Sequence, residues 1–442
     1  MIKAAQFRKS IVWLAKLLVY GLAIGMFVVF WFTRYSESTY DTNGNYLVIF
    51  SYTFIMFLLG RVYKAFSVDS ASRSELFYSN ALTVCFANII MYFQMCLIAR
   101  AMLNPLWMAF LLVDQIIFVG ISSLLIRRLY FWLFPMRDII AVCSDLAQER
   151  PFLSAVAQRQ QKYNITEVVT TDSGLEKVLQ RIAPYPSVMA YDIPRDIVEP
   201  LIRYCYAHNK RLYYRPDVAD LATHGASTIQ ISDTPMLLYK NHPPSVEELL
   251  IKRIMDITIS AVLLAMFSPV MLLVALFIKT DGGPVFFRQK RLTRHGRLFT
   301  VIKFRSMIVD AEAEGAQKCS TDDDRITRMG KIIRPTRIDE LPQLFNIIKG
   351  DMSLVGPRPE RVENMEEYCR DMPDFALRLS VKAGLTGYAQ LFGKYNTSPR
   401  DKLNMDLLYI TRFSILRDLQ LLAMTPKVMF MRESTEGFNN DQ

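Results

Sequence analysis

The sequence predicts a membrane protein of α plus α/β structure. Its expected parts are a four-helix transmembrane bundle, a small Rossmann-like domain with a parallel sheet, and a mainly helical C-terminal domain with a re-entrant membrane helix. Hydrophobic residues make up 51% of the 442 residues and charged residues only 21%, so the whole surface cannot face water. Apolar stretches fill the first third of the chain, and strand-like and helix-like segments alternate after them, which is the pattern of a parallel sheet.

Residues 1–137 are predicted to form the transmembrane domain, with apolar stretches at 11–33, 46–60, 77–99 and 105–126. Three stretches approach or exceed the ~20 residues that a spanning helix needs, and the second borrows flanking residues. No small-residue cleavage site follows the first stretch, so we expect a retained helix. A soluble all-helical bundle is the less favoured alternative.

Basic residues give these helices a predicted orientation. They are concentrated in the segments 1–10, 61–76 and 127–137, whereas the two alternate loops carry only Arg34 and Arg100. Because Lys and Arg accumulate in cytoplasmic loops, the N-terminus and everything after the fourth helix are expected on the cytoplasmic side.

Residues 138–240 are predicted to form the Rossmann-like domain. Strands are expected at 138–143, 167–171, 187–192 and 211–216, and helices at 145–162, 174–182 and 195–208. After the first strand the chain reads CSDLAQER, where a dinucleotide-binding domain needs glycines for the pyrophosphate. A regulatory role or a homodimer interface is therefore favoured over cofactor binding.

The C-terminal domain, 241–442, begins with a linker at Asn241–Ser245. Ser245 and Glu248 form a predicted capping box that opens a helix at 246–279. Ser268-Pro269 lies at the centre of its apolar part, 257–278, where proline is expected to kink the helix. The basic segment 288–305 that follows is ill suited to crossing a bilayer, so the helix is predicted to be re-entrant.

The net charge of +10 is compatible with nucleic acid, an anionic membrane surface or phosphorylated substrates. The sequence shows no helix-turn-helix, RNA-binding or zinc-finger pattern, so the membrane and phosphate chemistry are favoured and nucleic acid is not expected. The six cysteines contain no CxxC pair, which argues against a zinc site and a disulfide framework. A reducing, cytoplasmic setting is expected for the polar parts.

The pair Asp339-Glu340 is the candidate centre of chemistry. Pro342 follows closely, and because proline is tolerated only in the first helical turn, a helix is predicted to begin near Ile338. A carboxylate there could act as a nucleophile or as a metal ligand. The alternative is that the two acids only complement the helix dipole.

Arginines surround this pair in the sequence. Arg334 and Arg337 precede it, and Arg358 follows in a loop that its flanking prolines make rigid. One guanidinium group can bind two phosphate oxygens at once. The alternative is that these arginines are solvated surface residues, above all Arg337. The four histidines show no metal-ligand spacing, and GxSxG, P-loop and HExxH motifs are absent. The expected chemistry therefore uses carboxylates, arginines and a hard cation such as Mg²⁺.

Six motifs follow one another in the C-terminal domain: Lys252-Arg253 with Asp256, Ser268-Pro269, GPVFF at 283–287, KFRSM at 303–307, DELPQLFNIIKGDMSLVGPRPE at 339–360, and GLTG at 384–387. With these motifs in this order, residues 246–432 closely resemble the bacterial sugar transferase family, the polyprenyl-phosphate phosphoglycosyl transferases with one membrane-inserted catalytic helix. The four preceding helices and the glycine-poor middle domain resemble the family's large form. The family pattern has other residues at positions 293, 383 and 388, where this chain has Thr293, Ala383 and Tyr388. These departures bear on loop shape and sugar preference, and not on the class of reaction.

The resemblance implies a two-step reaction in which a sugar 1-phosphate passes from a nucleotide diphosphosugar, expected to be a uridine diphosphosugar, to polyprenyl (undecaprenyl) phosphate. Asp339 matches the nucleophile that forms a phosphosugar-aspartyl intermediate with release of UMP, and Glu340 its supporting neighbour. Both are also the implied ligands of Mg²⁺. Such enzymes begin surface polysaccharide or glycan repeat units at the cytoplasmic face of the bacterial inner membrane.

The resemblance also assigns the remaining site residues. Arg334 and Arg358 match phosphate-binding positions, and Lys303 and Arg305 are implied contacts on the substrate side. Ser268 and Pro269 match the break that makes the membrane helix re-entrant.

Two other functions are considered. One is an inactive membrane scaffold for glycan assembly, which would not need Asp339, Glu340, Arg334 and Arg358 together. The other is a nucleotide-sugar oxidoreductase that uses the middle domain, which lacks the glycines of a dinucleotide-binding site. The sequence does not select the sugar.

Overall fold

The computed structural model describes residues 2–35, 42–69, 71–146, 156, 163–223, 226–231, 234–238, 244–309, 311, 323–393 and 397–429. Most of the helix predicted at 145–162 and the start of the linker at 241–245 lie outside these residues. The chain divides into two compact units, Met1–Arg215 and Pro216–Gln442, and each is described by itself.

The first unit begins with four long helices, α1 (Ile2–Arg34), α2 (Thr42–Val62), α3 (Arg73–Ala99) and α4 (Pro105–Leu133). All four are long and apolar enough to cross a membrane. Ser72 caps α3 through a capping box, and the side chain of Asn104 caps α4 with proline in its first turn. The prediction of long apolar helices is confirmed, and each helix extends beyond its predicted stretch.

One buried side-chain amide connects these four helices. Gln115 of α4 donates from Nε2 to the carbonyl of Ala23 in α1 at 2.8 Å. Its Oε1 accepts hydrogen bonds from Tyr52 of α2 at 3.1 Å and from Asn88 of α3 at 2.7 Å. Because the bilayer core holds no water, polar groups there are satisfied by neighbouring helices, and such contacts select one packing arrangement.

A four-stranded parallel sheet follows, in the order β2-β1-β3-β4. Its strands are β1 (Arg137–Cys143), β2 (Tyr163–Thr170), β3 (Ser187–Tyr191) and β4 (Arg211–Tyr214), and its helices include α5 (Leu175–Ile182) and α6 (Arg195–Ala207). The parallel sheet with helices is confirmed. The strand predicted at 167–171 begins earlier, at Tyr163. Its first residues were missed because β2 lies at a sheet edge and exposes polar residues such as Asn164 and Thr166, which do not resemble a buried strand.

The second unit begins with α7 (Val218–Thr223) and an antiparallel hairpin, β5 (Ser227–Ile231) and β6 (Thr234–Leu238). The long helix α8 (Val246–Lys279) starts at the predicted capping box, in which Ser245 and Glu248 exchange hydrogen bonds of 3.1 and 2.9 Å. The backbone stays helical through Pro269. Proline has no N–H for the carbonyl of Ala265, and the Ser268 hydroxyl donates to that carbonyl at 2.8 Å instead.

The first turns of α8 hold the rest of the unit in place. Arg253 donates to the carbonyls of Ile347 and Ile348 at 2.6 and 2.7 Å, and Asp256 accepts from the backbone N–H of Leu354 at 3.1 Å. The guanidinium of Arg253 therefore binds the end of the helix that contains Ile347 and Ile348, where carbonyls lack some of their intrahelical partners.

The remaining elements of the second unit are β7 (Phe286–Leu292), β8 (Leu298–Phe304), α9 (Gly330–Ile333), α10 (Gln343–Lys349), β9 (Ser353–Val355), α11 (Val362–Asp371), β10 (Gly384–Thr386), α12 (Tyr388–Phe392), α13 (Pro399–Ile410) and α14 (Ile415–Met429). Several of them share a core that includes Leu344, Ile347, Leu354 and Tyr409. β7 pairs antiparallel with β8, and β9 pairs parallel with β10.

Gly384→Ala should destabilise the second unit by about 1–3 kcal/mol, because its Cβ would lie 2.1 Å from the backbone nitrogen of Gly356. The free energy of unfolding in detergent is the measurement. Gly25→Ala is the control, since its Cβ would have nothing within 4 Å. Equal stabilities of the two variants would show that the backbones of 356 and 384 are not in contact.

Candidate active site

Asp339 and Glu340 lie on a single 3₁₀ turn, Ile338–Glu340, that precedes α10. A helix does begin at Ile338, as predicted, but it is a 3₁₀ helix, and the α-helix begins only at Gln343. The intervening backbone makes i→i−3 hydrogen bonds, such as Leu341 N–H to the carbonyl of Ile338 at 3.2 Å. The two carboxylates therefore have side-chain cations as neighbours, and they do not lie in the first turn of an α-helix.

Glu340 forms two ion pairs that fix its carboxylate. Its Oε1 lies 2.9 Å from Nζ of Lys303, at the end of β8, and 3.0 Å from Nη2 of Arg358. Burial alone would raise the pKa of Glu340, but the charges of Lys303, Arg358 and Arg337 outweigh it and lower that pKa. Glu340 is thus an ionised group, one of whose carboxylate oxygens is bound by two cations of the protein.

Asp339, directly beside it, has different surroundings. Burial and the charge of Glu340 raise the pKa of Asp339 to about 6, although Lys303, Arg334 and Arg358 act in the opposite direction. Within the described residues, its carboxylate accepts no hydrogen bond. Two adjacent carboxylates are therefore separated in pKa by their environments, which is typical of a site where they have different roles.

Buried Asn346 of α10 holds the strand that carries Lys303. Its Oδ1 accepts from the N–H of Ile302 at 3.1 Å, and its Nδ2 donates to the carbonyl of Thr300 at 2.8 Å. β8 and α10 are thereby locked together on either side of the Lys303–Glu340 pair. Asn346 lies within the motif at 339–360, but the sequence assigned it no role; α10 presents it on the same buried side as Leu344 and Ile347.

Arg358 is presented by a loop that a second, buried arginine anchors. The Arg378 side chain is 2% exposed, and its Nη2 donates to the carbonyl of Arg358 at 3.1 Å. It also pairs with Asp406 at 2.7 Å and with Glu360 at 3.3 Å. Burial raises the pKa of Asp406 to about 6 against the attraction of Arg378. Arg378 lies in a 3₁₀ helix, Pro373–Ser380, that carries none of the motifs, so sequence reasoning missed it.

The other predicted residues are placed differently from one another. Arg334 is half-buried and acts electrostatically on Asp339. Arg337 opens the 3₁₀ turn with a left-handed backbone, φ 54°, which is uncommon for a non-glycine residue. Arg305 is buried at the end of α8, where it donates to the carbonyl of Ile278 at 3.2 Å and lies 3.9 Å from Asp281. Its implied contact with substrate stays a prediction.

A cavity opens beside the Glu340 ion pairs. It is lined by Arg291, Val301, Lys303, Glu340, Gln343, Arg358, Pro359, Gly384 and Leu385. Three of these residues are cationic and one is anionic, so the cavity favours an anion. Arg291 also supports the loop that carries Arg358, since it donates to the carbonyl of Pro359 at 3.2 Å.

The donor set fits Mg²⁺ that is shared with a substrate. In the described part of the chain, no three His, Cys, Asp or Glu side chains are grouped so that they could hold a metal ion. Mg²⁺ is commonly bound through one or two carboxylates plus substrate phosphates and water. Asp339 is suited to this use, with Glu340 adjacent, whereas a metal cage built from protein ligands alone is not present among the described residues.

Comparison with known proteins identifies the family. Residues 247–432 match the model of the bacterial sugar transferases. An Aeromonas hydrophila protein named UDP-N-acetylgalactosamine-undecaprenyl-phosphate N-acetylgalactosaminephosphotransferase is 43% identical over 179 residues, which are 40% of this chain and 42% of that protein. A UDP-glucose:undecaprenyl-phosphate glucose-1-phosphate transferase from Caulobacter vibrioides is 39% identical over 39% of this chain and 67% of its own length.

A third relative, a sugar transferase from Bacillus subtilis, is 36% identical over 43% of this chain and 93% of its own length. The chain belongs to the bacterial sugar transferase family. Its matched segment spans less than half the length of the Aeromonas relative.

Arg378→Lys should weaken binding of inorganic pyrophosphate about tenfold, because lysine cannot serve Asp406, Glu360 and the Arg358 carbonyl together. Isothermal titration of the detergent-solubilised protein measures this affinity. Arg370→Lys, at an exposed position of α11, is the control. Unchanged affinity with only a lower melting temperature would show that Arg378 acts on stability and not on the position of Arg358.

Proposed function

We propose that the chain transfers a sugar 1-phosphate from a uridine diphosphosugar to undecaprenyl phosphate, and so begins a surface polysaccharide or glycan repeat unit. The observation that carries this proposal is the pair of adjacent carboxylates, one neutralised by Lys303 and Arg358 and one without a hydrogen bond among the described residues. Relatives named for UDP-sugars and undecaprenyl phosphate support the substrate classes. Their sugars differ, so the sugar stays open.

The proposed first step is an in-line displacement at phosphorus. A carboxylate oxygen of Asp339 attacks the sugar-bearing phosphorus, the bond from that phosphorus to the bridging oxygen breaks, and UMP leaves with the bonding electrons. In the second step a phosphate oxygen of undecaprenyl phosphate attacks the same phosphorus and the Asp339 carboxylate leaves. The product is an undecaprenyl diphosphate sugar, and the enzyme returns to its starting state.

Charge neutralisation is the main requirement of this chemistry, because an anion attacks a diphosphate. Lys303, Arg334 and Arg358 lie close enough to act electrostatically on Asp339 and would face the phosphates. Glu340 orients Lys303 and Arg358, and its negative charge makes Asp339 more basic and so a better nucleophile.

We propose Mg²⁺ as the cofactor, held by Asp339 with Glu340 adjacent. When bound, the ion neutralises phosphate charge. Both carboxylates lie on one turn beside the cationic cavity, which would let substrate phosphates complete the coordination.

We propose that α8 is re-entrant and that the catalytic unit lies on the cytoplasmic face. Arg253 ties the start of α8 to α10, and the far end packs on the same unit through Ile278, Phe304 and Ile333. The middle of α8 exposes apolar side chains such as Val262 and Leu272. A helix with both ends on one unit is suited to entering and leaving a bilayer on the same side. Homodimerisation through the middle domain stays a prediction.

Asp281→Cys, just after α8, should resist a membrane-impermeant maleimide in spheroplasts and react only after permeabilisation. The native cysteines are first replaced by serine. Ala101→Cys, in the loop predicted to lie outside, is the control and should react at once. Labelling of position 281 in intact spheroplasts would mean that α8 spans the membrane.

The reaction is tested by UMP release from a panel of uridine diphosphosugars, with Mg²⁺ and undecaprenyl phosphate. Asp339→Asn should abolish release because the amide is not a nucleophile, and Asp371→Asn, at an exposed position, should retain it. Chelation by EDTA should stop release and added Mg²⁺ restore it. Near wild-type turnover by Asp339→Asn would contradict the proposed nucleophile.

The pH profile of turnover should have an acidic limb near pH 6. Asp339 is a nucleophile only when deprotonated, so the rate should fall about tenfold per pH unit below its pKa of about 6 and level off above it. Arg334→Gln should move the limb to higher pH, because it removes a charge that lowers this pKa. A flat profile between pH 5 and 7 would exclude a carboxyl group with so high a pKa as the nucleophile.

A further inference from the structure

Asp114 is the one charged residue between Pro105 and Ile126 of α4. At about 1.5 Å per residue, it lies roughly 14 Å along the helix from Pro105 and roughly 20 Å from Arg127. The hydrocarbon core of a bilayer is about 30 Å thick. If α4 spans the membrane, its only interior charge therefore lies near the bilayer midplane.

Asp114 faces outward from the four helices. Its side chain is exposed, as are those of Phe110, Ile117 and Ile121, which share its side of α4 at helical spacing. The next residue, Gln115, lies about 100° further around the helix axis and is buried. Among the described residues, the Asp114 carboxylate accepts no hydrogen bond and forms no ion pair.

A carboxylate at this depth is expensive to leave in lipid, and acidic residues in spans almost always pair with another group. We infer that Asp114 and the face formed by Phe110, Ile117 and Ile121 bind a transmembrane helix of a partner protein that carries Lys or Arg near its midpoint.

Charge complementarity favours such a partner over a second copy of this chain. The deepest cation in α1–α4 is Lys16, and its ammonium group donates to the carbonyl of Phe66, in the segment after α2, at 2.6 Å. Lys16 is therefore held toward the end of the spans. A second copy would bring only another Asp114 to the midplane, whereas a central Lys or Arg would neutralise the carboxylate.

The test uses the full-length protein in lipid nanodiscs, with a benzoylphenylalanine photo-crosslinker in place of Ile117. Three synthetic leucine-rich transmembrane peptides serve as probes, with Lys, Leu or Asp at the centre. The Lys peptide should give about tenfold more adduct than the Leu peptide. Asp114→Asn should reduce it to the Leu level, and Asp114→Lys should shift the preference to the Asp peptide.

Two controls separate this result from misfolding and from non-specific contact. Asp114→Asn should keep the pyrophosphate affinity of the parent protein, and a crosslinker at exposed Phe54 of α2 should show no preference for the Lys peptide. Equal adducts with the Lys and Leu peptides would overturn the inference. Adducts between two copies of the chain that depend on Asp114, without a preference among peptides, would assign this face to self-association instead.

Discussion

The arrangement of the site depends on the two ion pairs of Glu340. One carboxylate oxygen receives Lys303 from the end of β8 and Arg358 from the loop after β9, so three segments far apart in the chain meet at one atom. With Glu340 ionised and held in this way, the neighbouring Asp339 experiences a like charge and has its pKa raised. The two carboxylates thus differ in pKa because Lys303 and Arg358 form ion pairs with Glu340 and not with Asp339.

Most of the surrounding structure can be understood as support for those contacts. Asn346 fixes β8 against α10, and Arg378 holds the backbone of Arg358 from within the core. Gly356 and Gly384 let two backbones approach more closely than any side chain would permit. Preorganised cations of this kind stabilise developing charge without having to move during the reaction, which suits phosphoryl transfer.

The predicted site residues were those in contiguous motifs. Asp339, Glu340 and Arg334 are close in sequence, and the resemblance connected them to Lys303 and Arg358. Arg378 lies outside these motifs, and Asn346 lies within one that gave it no role. Neither role could be assigned from the sequence, because each residue acts through contacts that link distant segments. The helix start near Ile338 could be predicted from the position of Pro342, but its 3₁₀ character could not, because i→i−3 bonding leaves no pattern in the sequence. The long apolar helices and the parallel sheet were readable because hydrophobic periodicity specifies them directly.

We propose that Asp339, and not Glu340, carries the phosphosugar. The decisive experiment incubates the protein with its uridine diphosphosugar and Mg²⁺ but without undecaprenyl phosphate, followed by acid quenching and peptide mass spectrometry. We expect the peptide containing both carboxylates to gain the mass of one sugar phosphate. Fragmentation should assign the added mass to Asp339, and undecaprenyl phosphate should remove it. A modification on Glu340, or UMP release with no modified peptide, would show that Asp339 is not the nucleophile.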